Sequence, residues 1–338
     1  MSQVPAIVVG FGNVGRALVH ELTSRPGLGI RIVAASSSRG SVLVRSRSDL
    51  EVLVGLAKRG EKLEKHASFT DGLDAIEAAK ESGAALAFIA LPPSYESGEP
   101  NETIYKSLAD IGISIVTADK TVLARDFHGF MEYARSRGVG IGYRATVAAG
   151  TPAIDAARGL RGRSVEKIVA VLNATTNYIL TLVERGYSYQ EAIRKAIEAK
   201  LAEPDPRIDI HGWDPAAKLA ILASTLGAKV TVFDVRRTPL DTIPERRVSS
   251  ARSRGFAVKY LAVADMVSGN FRVEPSEVPV SSPLASVSGE YNVVEFHLER
   301  ETITLMGPAG PAWRTAKVMI TDALELLEES CVSRTERK

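Results

Sequence analysis

Glu203 to Ala223 reads EPDPRIDIHGWDPAAKLAILA, with Glu203, Asp205, Asp209 and Asp214 preceding an Ala/Leu/Ile run whose one charge is Lys218. Asp214-Pro215 predicts a helix start, an N-cap followed by proline at the first helical position. Gly227 predicts its end, after about Leu226. In that register Lys218 shares a face with Ile221 and Leu222, three and four residues on, and Asp214 lies one turn before it. A lysine held between an acid and an apolar face can exchange a proton with an alcohol or carbonyl oxygen. The residues alone allow a second reading, a capping acid and a lysine that reaches past a packing helix to water.

A second constellation opens the chain. After the apolar run Pro5 to Val9 come Gly10, Phe11, Gly12, Asn13, Val14 and Gly15, a G-x-G-x-x-G pattern. A helical period follows, with Val14, Ala17, Leu18 and Leu22 on one face. Strand, glycine turn and helix together point to a dinucleotide. Gly10 permits the tight turn, Gly12 lets backbone approach a pyrophosphate, and Gly15 lets helix pack on strand. The next strand ends in AASSSRGS, and no acid occurs from Leu22 to Ser48. An acid there would take a ribose 2′-hydroxyl. Ser36, Ser37, Ser38 and Arg39, with Lys58 further on, suit a 2′-phosphate instead. NADP(H) is therefore expected over NAD(H). The competing reading is a solvated basic loop.

The elements that must position these groups follow from hydrophobic periodicity. Apolar runs at Ile30–Ala35, Leu86–Leu91, Ile113–Thr117 and Gly138–Tyr143 alternate with helical stretches such as Gly72–Ser82 and Asn101–Ile111. This predicts an α/β fold with a Rossmann-type, doubly wound parallel sheet over residues 1–142. Leu91 and Pro92 then sit at its ligand edge. Beyond Gly150 the pattern changes. A strand leads into a polar turn at Asn173–Asn177, helices follow, and strands return at Phe256–Ala264, Asn270–Val273, Tyr291–Leu298 and Thr302–Met306. This predicts a second, α+β domain over 143–305.

Net charge is +2 and charged residues are 24%, so no nucleic-acid or membrane surface is expected. The start carries no signal-peptide pattern, and no apolar run is long enough to span a bilayer. The single cysteine, Cys331, fits a reducing cytoplasm. It lies in the final charged tail, which argues against an acyl-thioester dehydrogenase, whose nucleophile must sit at the nicotinamide.

Several further segments resemble homoserine dehydrogenases over nearly the whole chain: TADK (Thr117 to Lys120), YRATVAAGTP (Tyr143 to Pro152), LNATTNYIL (Leu172 to Leu180), the acidic segment ending at Ala223, and GPAGPAWRTAKVMITD (Gly307 to Asp322). The resemblance implies NAD(P)-dependent interconversion of homoserine and aspartate 4-semialdehyde, in threonine, methionine and isoleucine biosynthesis. It implies that Lys218 is the general acid/base and that Lys120 stands near the reacting oxygen and nicotinamide. It assigns Glu203 and Asp209 to the substrate ammonium, Asp214 to the catalytic lysine, and Thr175 to the substrate pocket. It places main-chain carbonyls of Arg144, Val147, Ala149 and Thr151 around a monovalent cation such as Na+. Gly307 and Gly310 fall in a late cofactor-side loop, so residues 306–338 should return to the first domain. A homodimer through the second domain is implied, without an attached regulatory domain.

The chain departs from the family pattern at four places. Asp119 stands for Asn, Arg144 for Glu, Ala174 for Gly, and Lys200 where Gly is expected. The alternative these departures keep open is a cofactor-binding homologue with altered or lost dehydrogenase activity.

Overall fold

Short β-branched runs, buried on both faces, make the first sheet of this computed structural model, which describes residues 3–199, 201–202 and 205–335. The strands are β1 (Val4–Val9), β2 (Ile30–Ser36), β3 (Gly40–Leu43), β4 (Phe69–Asp71), β5 (Leu86–Ile89), β6 (Ser114–Thr117) and β7 (Ile141–Gly142), in the order β4-β3-β2-β1-β5-β6-β7. From β2 to β7 all neighbours are parallel. The doubly wound parallel sheet expected from the sequence is extended at one edge, where β3 and β4 are antiparallel. The Ser-rich loop after β2 is in fact the tight turn of a hairpin, closed by Ser37 N–H donating to Gly40 O at 2.9 Å. The chain leaves β1 for β2 on one side and later places β5 on the other. The crevice beyond β1 and β5 is thus the switch point where such sheets take ligands.

The core of this unit joins the sheet to Leu18, Val19 and Leu22 of helix Asn13–Thr23 and to Ala316, Met319, Ile320 and Ala323 of the last helix, Ala312–Thr335. Residues up to Ala149 and those from Gly310 onward form one compact unit, and Gly150–Ala309 form the other. The stretch after Gly142 stays with the first unit for a clear reason. Arg144 N–H donates to Asp322 Oδ2 at 2.8 Å, and its guanidinium donates to Asp322 Oδ1 at 2.7 Å and pairs with Glu325. Asp322 is fully buried, so this arginine supplies its counter-charge.

The second unit is built on β8 (Val165–Val171), β9 (Arg236–Arg237), β10 (Phe256–Asp265), β11 (Asn270–Pro279), β12 (Tyr291–Leu298) and β13 (Thr302–Pro308), ordered β13-β12-β8-β10-β11-β9. All pairs are antiparallel except β9 with β11. Alternation divides the sheet into two faces. Val169, Val171, Leu261, Val263 and Val293 share one apolar cluster. Ile168, Ala170, Tyr260 and Val294 point the other way. On that other face begins helix Trp213–Thr225: Gly212, its N-cap, sits so close that a Cβ would lie 2.6 Å from Tyr260 Oη. Among the described residues no helix is long and apolar enough to cross a membrane.

Candidate active site

At the switch point three glycines have three different reasons. Gly10 has φ +96°, and a Cβ there would lie 2.4 Å from Ala90 O, at the end of β5. At Gly15 a Cβ would lie 1.9 Å from Gly10 O. Both are demanded by the protein itself. At Gly12 a Cβ would meet no protein atom within 4 Å, and φ is an ordinary −80°. Nothing internal requires glycine at 12, which leaves the close approach of a ligand as its reason. Gly12 is also the N-cap of helix Asn13–Thr23, with no side-chain cap, and an uncapped helix start of this kind can take an anion. Phe11 is buried in the core, and Asn13 accepts from Arg16 at 2.8 Å. These residues fit a dinucleotide pyrophosphate.

The hairpin turn carries Ser37, Ser38 and Arg39. Ser37 Oγ donates to Gly40 O at 3.2 Å. The Arg39 side chain is 65% exposed and lies 3.4 Å from Asp71. Asp71 reaches it because β3 pairs Gly40 with Asp71. The acid missing from the local sequence therefore arrives from β4, and an exposed pair this long holds Arg39 weakly. Lys58 is exposed in the last turn of helix Arg47–Arg59.

Lys120 is the N-cap residue of helix Thr121–Ser136, between two locked neighbours. Asp119 is buried, and its Oδ1 accepts from Thr121 N–H at 3.0 Å and Thr121 Oγ1 at 2.7 Å. Its own N–H donates to Thr117 Oγ1 at 2.9 Å, and Tyr105 Oη donates to Asp119 Oδ2 at 3.2 Å. Thr121 Oγ1 in turn accepts from Ser94 N–H at 3.0 Å and Asn101 Nδ2 at 3.1 Å, and Asn101 Nδ2 also donates to Pro92 O at 3.0 Å. Burial pushes the Asp119 carboxyl up, against the Thr121 hydrogen bonds. The Asp119 departure is thus matched by the Thr121 hydroxyl, and together they tie the loop beyond β5, with Leu91 and Pro92, to the lysine's backbone.

In the second unit Asp209 and Asp214 converge on one amide, and Lys218 joins them through Asp214. Asn173 is the N-cap of helix Ala174–Glu184, and its Oδ1 accepts from Thr176 N–H at 2.8 Å. The expected polar turn at Asn173–Asn177 is therefore the first turn of that helix. Asn173 Nδ2 donates to Asp209 Oδ1 at 2.6 Å and to Asp214 Oδ2 at 2.8 Å. Lys218 Nζ bonds Asp214 Oδ2 at 2.7 Å and donates to Leu172 O at 2.7 Å. An ammonium has three donors, and among the described residues two of them are taken. Burial, then the nearby Asp214 charge, pushes Asp209 up to about 6. Thr175 Oγ1 donates to Leu201 O at 2.7 Å.

The lysine helix starts at Trp213, capped by Gly212, two residues before the expected Pro215. Asp214 lies inside its first turn because its carboxylate is taken by Lys218 and Asn173 and does not cap. Pro215 is tolerated there because first-turn N–H groups lack helical partners anyway. Glu203 and Lys200 lie outside the described residues, as does the side chain of Cys331. Gly307 lies in β13, where a Cβ would come 2.6 Å from Thr151 Oγ1, and Gly310 packs against Ala149 and Thr315. Of the carbonyls expected at a cation, Arg144, Val147 and Ala149 belong to the first unit and Thr151 to the second. Thr151 O already accepts from Ala153 N–H at 2.6 Å. The sequence reading missed Asn173 as the hub. Its only local signal is an Asn before Ala-Thr-Thr, an N-cap pattern without hint of distant acids.

Known proteins match this arrangement along the chain. The homoserine dehydrogenase family model matches residues 152–324. A homoserine dehydrogenase of Sulfurisphaera tokodaii is 32% identical over 333 residues, 96% of this chain and 99% of that protein. An NAD(+)-dependent homoserine dehydrogenase of Pseudomonas canavaninivorans is 30% identical over 344 residues, 96% of this chain and 97% of that protein. A hyperthermophilic archaeal homoserine dehydrogenase solved with NADPH superposes with TM-score 0.83 at 26% identity, over 97% of this chain and 98% of that one. The chain belongs to the homoserine dehydrogenase family.

Proposed function

We propose that the protein interconverts L-homoserine and L-aspartate 4-semialdehyde, using NADP(H) in preference to NAD(H). The observation that carries this reading is Lys218, held by Asp214 and by the Leu172 carbonyl on a largely buried helix. The bound dinucleotide supplies the hydride chemistry, and its pyrophosphate would lie on Gly12 and the helix start behind it. As the ammonium, Lys218 gives a proton to the carbonyl oxygen in reduction, and as the neutral amine it takes the hydroxyl proton in oxidation. Asp214 and Leu172 fix Nζ so that little reorganisation is needed when the proton moves. Asp209, with Glu203, takes the substrate ammonium. Lys120, on its locked backbone, is the second lysine of the machinery. A homodimer completes the proposal. Purified protein given homoserine and NADP+ should raise absorbance at the reduced-nicotinamide band. No rise with either nucleotide would sink it.

The cofactor preference rests on Arg39. Charge-assisted bonds to a phosphate are worth roughly 1.5–3 kcal/mol. Arg39→Ala should weaken NADP(H) by about tenfold or more and leave NAD(H) nearly unchanged. Titrations with both nucleotides check this, and equal losses would remove the assignment.

The raised Asp209 acid gives a pH dependence. Its folded value of about 6 lies above the roughly 3.9 of an unfolded Asp, so the folded state binds the proton more tightly. Burying it costs stability above about pH 6, and the cost fades as pH falls toward about 4. Ammonium binding needs the charged form, so kcat/KM for homoserine should fall as pH drops through about 6. Asp209→Asn should lower kcat/KM at neutral pH and abolish that limb. An unchanged limb would assign it elsewhere.

A further inference from the structure

One buried polar group of the second sheet has no partner among the described residues. Asn292 is 1% exposed, and its Oδ1 accepts no hydrogen bond from any described residue. An orphaned buried carbonyl costs free energy, and such groups are rare unless a ligand or water completes them.

The position of Asn292 is defined by strand register. Val293 pairs with Val171, so Asn292 and Leu172 are each one residue beyond that pair, at the same end of β12 and β8. Leu172 is the residue whose carbonyl receives Lys218 Nζ. Val293 and Val171 belong to the cluster on one sheet face. Asn292, next to Val293, therefore points to the other face, where helix Trp213–Thr225 lies against Tyr260. On its far side Asn292 pairs with Gly307. That glycine has no side chain to offer, because Thr151 occupies the place of its Cβ. The carbonyl thus shares a sheet end and a face with the Lys218 helix.

We infer that Asn292 is a substrate-binding residue, whose side-chain carbonyl accepts a hydrogen bond from the ammonium group of the amino-acid substrate. The orphan is an acceptor and so calls for a donor, and the ammonium is the substrate's strongest. Asp209 supplies charge for that group, and Asn292 supplies direction without a second negative charge beside Asp209 and Asp214. The inference rests on the homoserine reading above.

Asn292→Leu removes the amide at nearly constant size, and Asn292→Ala is the smaller control if leucine fails to fold. For a residue that is unsatisfied until substrate binds, Asn292→Leu without substrate should melt at the wild-type temperature or above it. KM for homoserine should rise about tenfold or more, the range of a hydrogen bond to a charged group. KM for the nucleotide should not change. Homoserine should also raise the melting temperature of the wild type more than that of the variant at equal concentration. A variant with wild-type KM for homoserine overturns the inference, whether its melting temperature falls or holds. A fall would mark the amide as a structural group satisfied by water. Wild-type protein that neither turns over homoserine nor is stabilised by it fails the reaction itself. Active wild type with an unaffected variant fails Asn292 alone.

Discussion

Lys218→Met should lose turnover by at least about a hundredfold at saturating homoserine, the lower range for removing a general acid/base. Methionine keeps the length and packs on the apolar helix but carries no proton. The Lys218 side chain is only 16% exposed, so its place is taken by a group of similar volume. Asp214 keeps the Asn173 amide and loses its counter-charge, which should cost about 1–3 kcal/mol of stability. The variant should fold and bind nucleotide as before, because the glycine motif proposed to hold it, Gly10 to Gly15, is on the other unit. Steady-state kcat with nucleotide titration and a thermal melt checks each part. Near-normal kcat would make Lys218 a packing residue, and the proposed proton transfer would fail.

The second large effect separates two glycines. Gly10→Ala places a side chain at φ +96° and 2.4 Å from Ala90 O. The backbone conformation costs about 1–2 kcal/mol and the overpacking about 1–3 kcal/mol. The loop after β1 must also move, so nucleotide affinity should fall more than tenfold together with the melting temperature. Gly12→Ala meets open space at φ −80°. Its melting temperature should hold while nucleotide affinity falls. Unchanged nucleotide affinity in Gly12→Ala would remove the pyrophosphate from this edge.

What could be read from the chain alone was contiguous. Gly10 to Gly15 follow a strand and open a helix within one short segment, so the motif carried its own context. Lys218 and Asp214 are one helical turn apart, and their pairing follows from spacing. The hub Asn173 was not legible, because it joins Asp209 and Asp214 across 36 and 41 residues, and only the sheet brings β8 to that helix. β3 and β4 escaped for the same reason. Four and three residues long, they are strands only because each pairs with the next. That pairing also delivered Asp71 to Arg39. The helix start moved because Asp214 found stronger partners than backbone N–H groups.

The path of the chain also sets an order of assembly during translation. The nucleotide unit is made first but closes with Ala316, Met319, Ile320 and Ala323 of the last helix. The other unit, Gly150–Ala309, is continuous and needs nothing made after it. Domains fold as units while the ribosome adds about 5–20 residues per second. The later unit can therefore settle first, while the core of the earlier one lacks the last helix's share for several seconds or more. A nonsense codon just past Ala309 would leave a completed second unit attached to a first unit that never receives its closing helix, a product marked for chaperones and proteases.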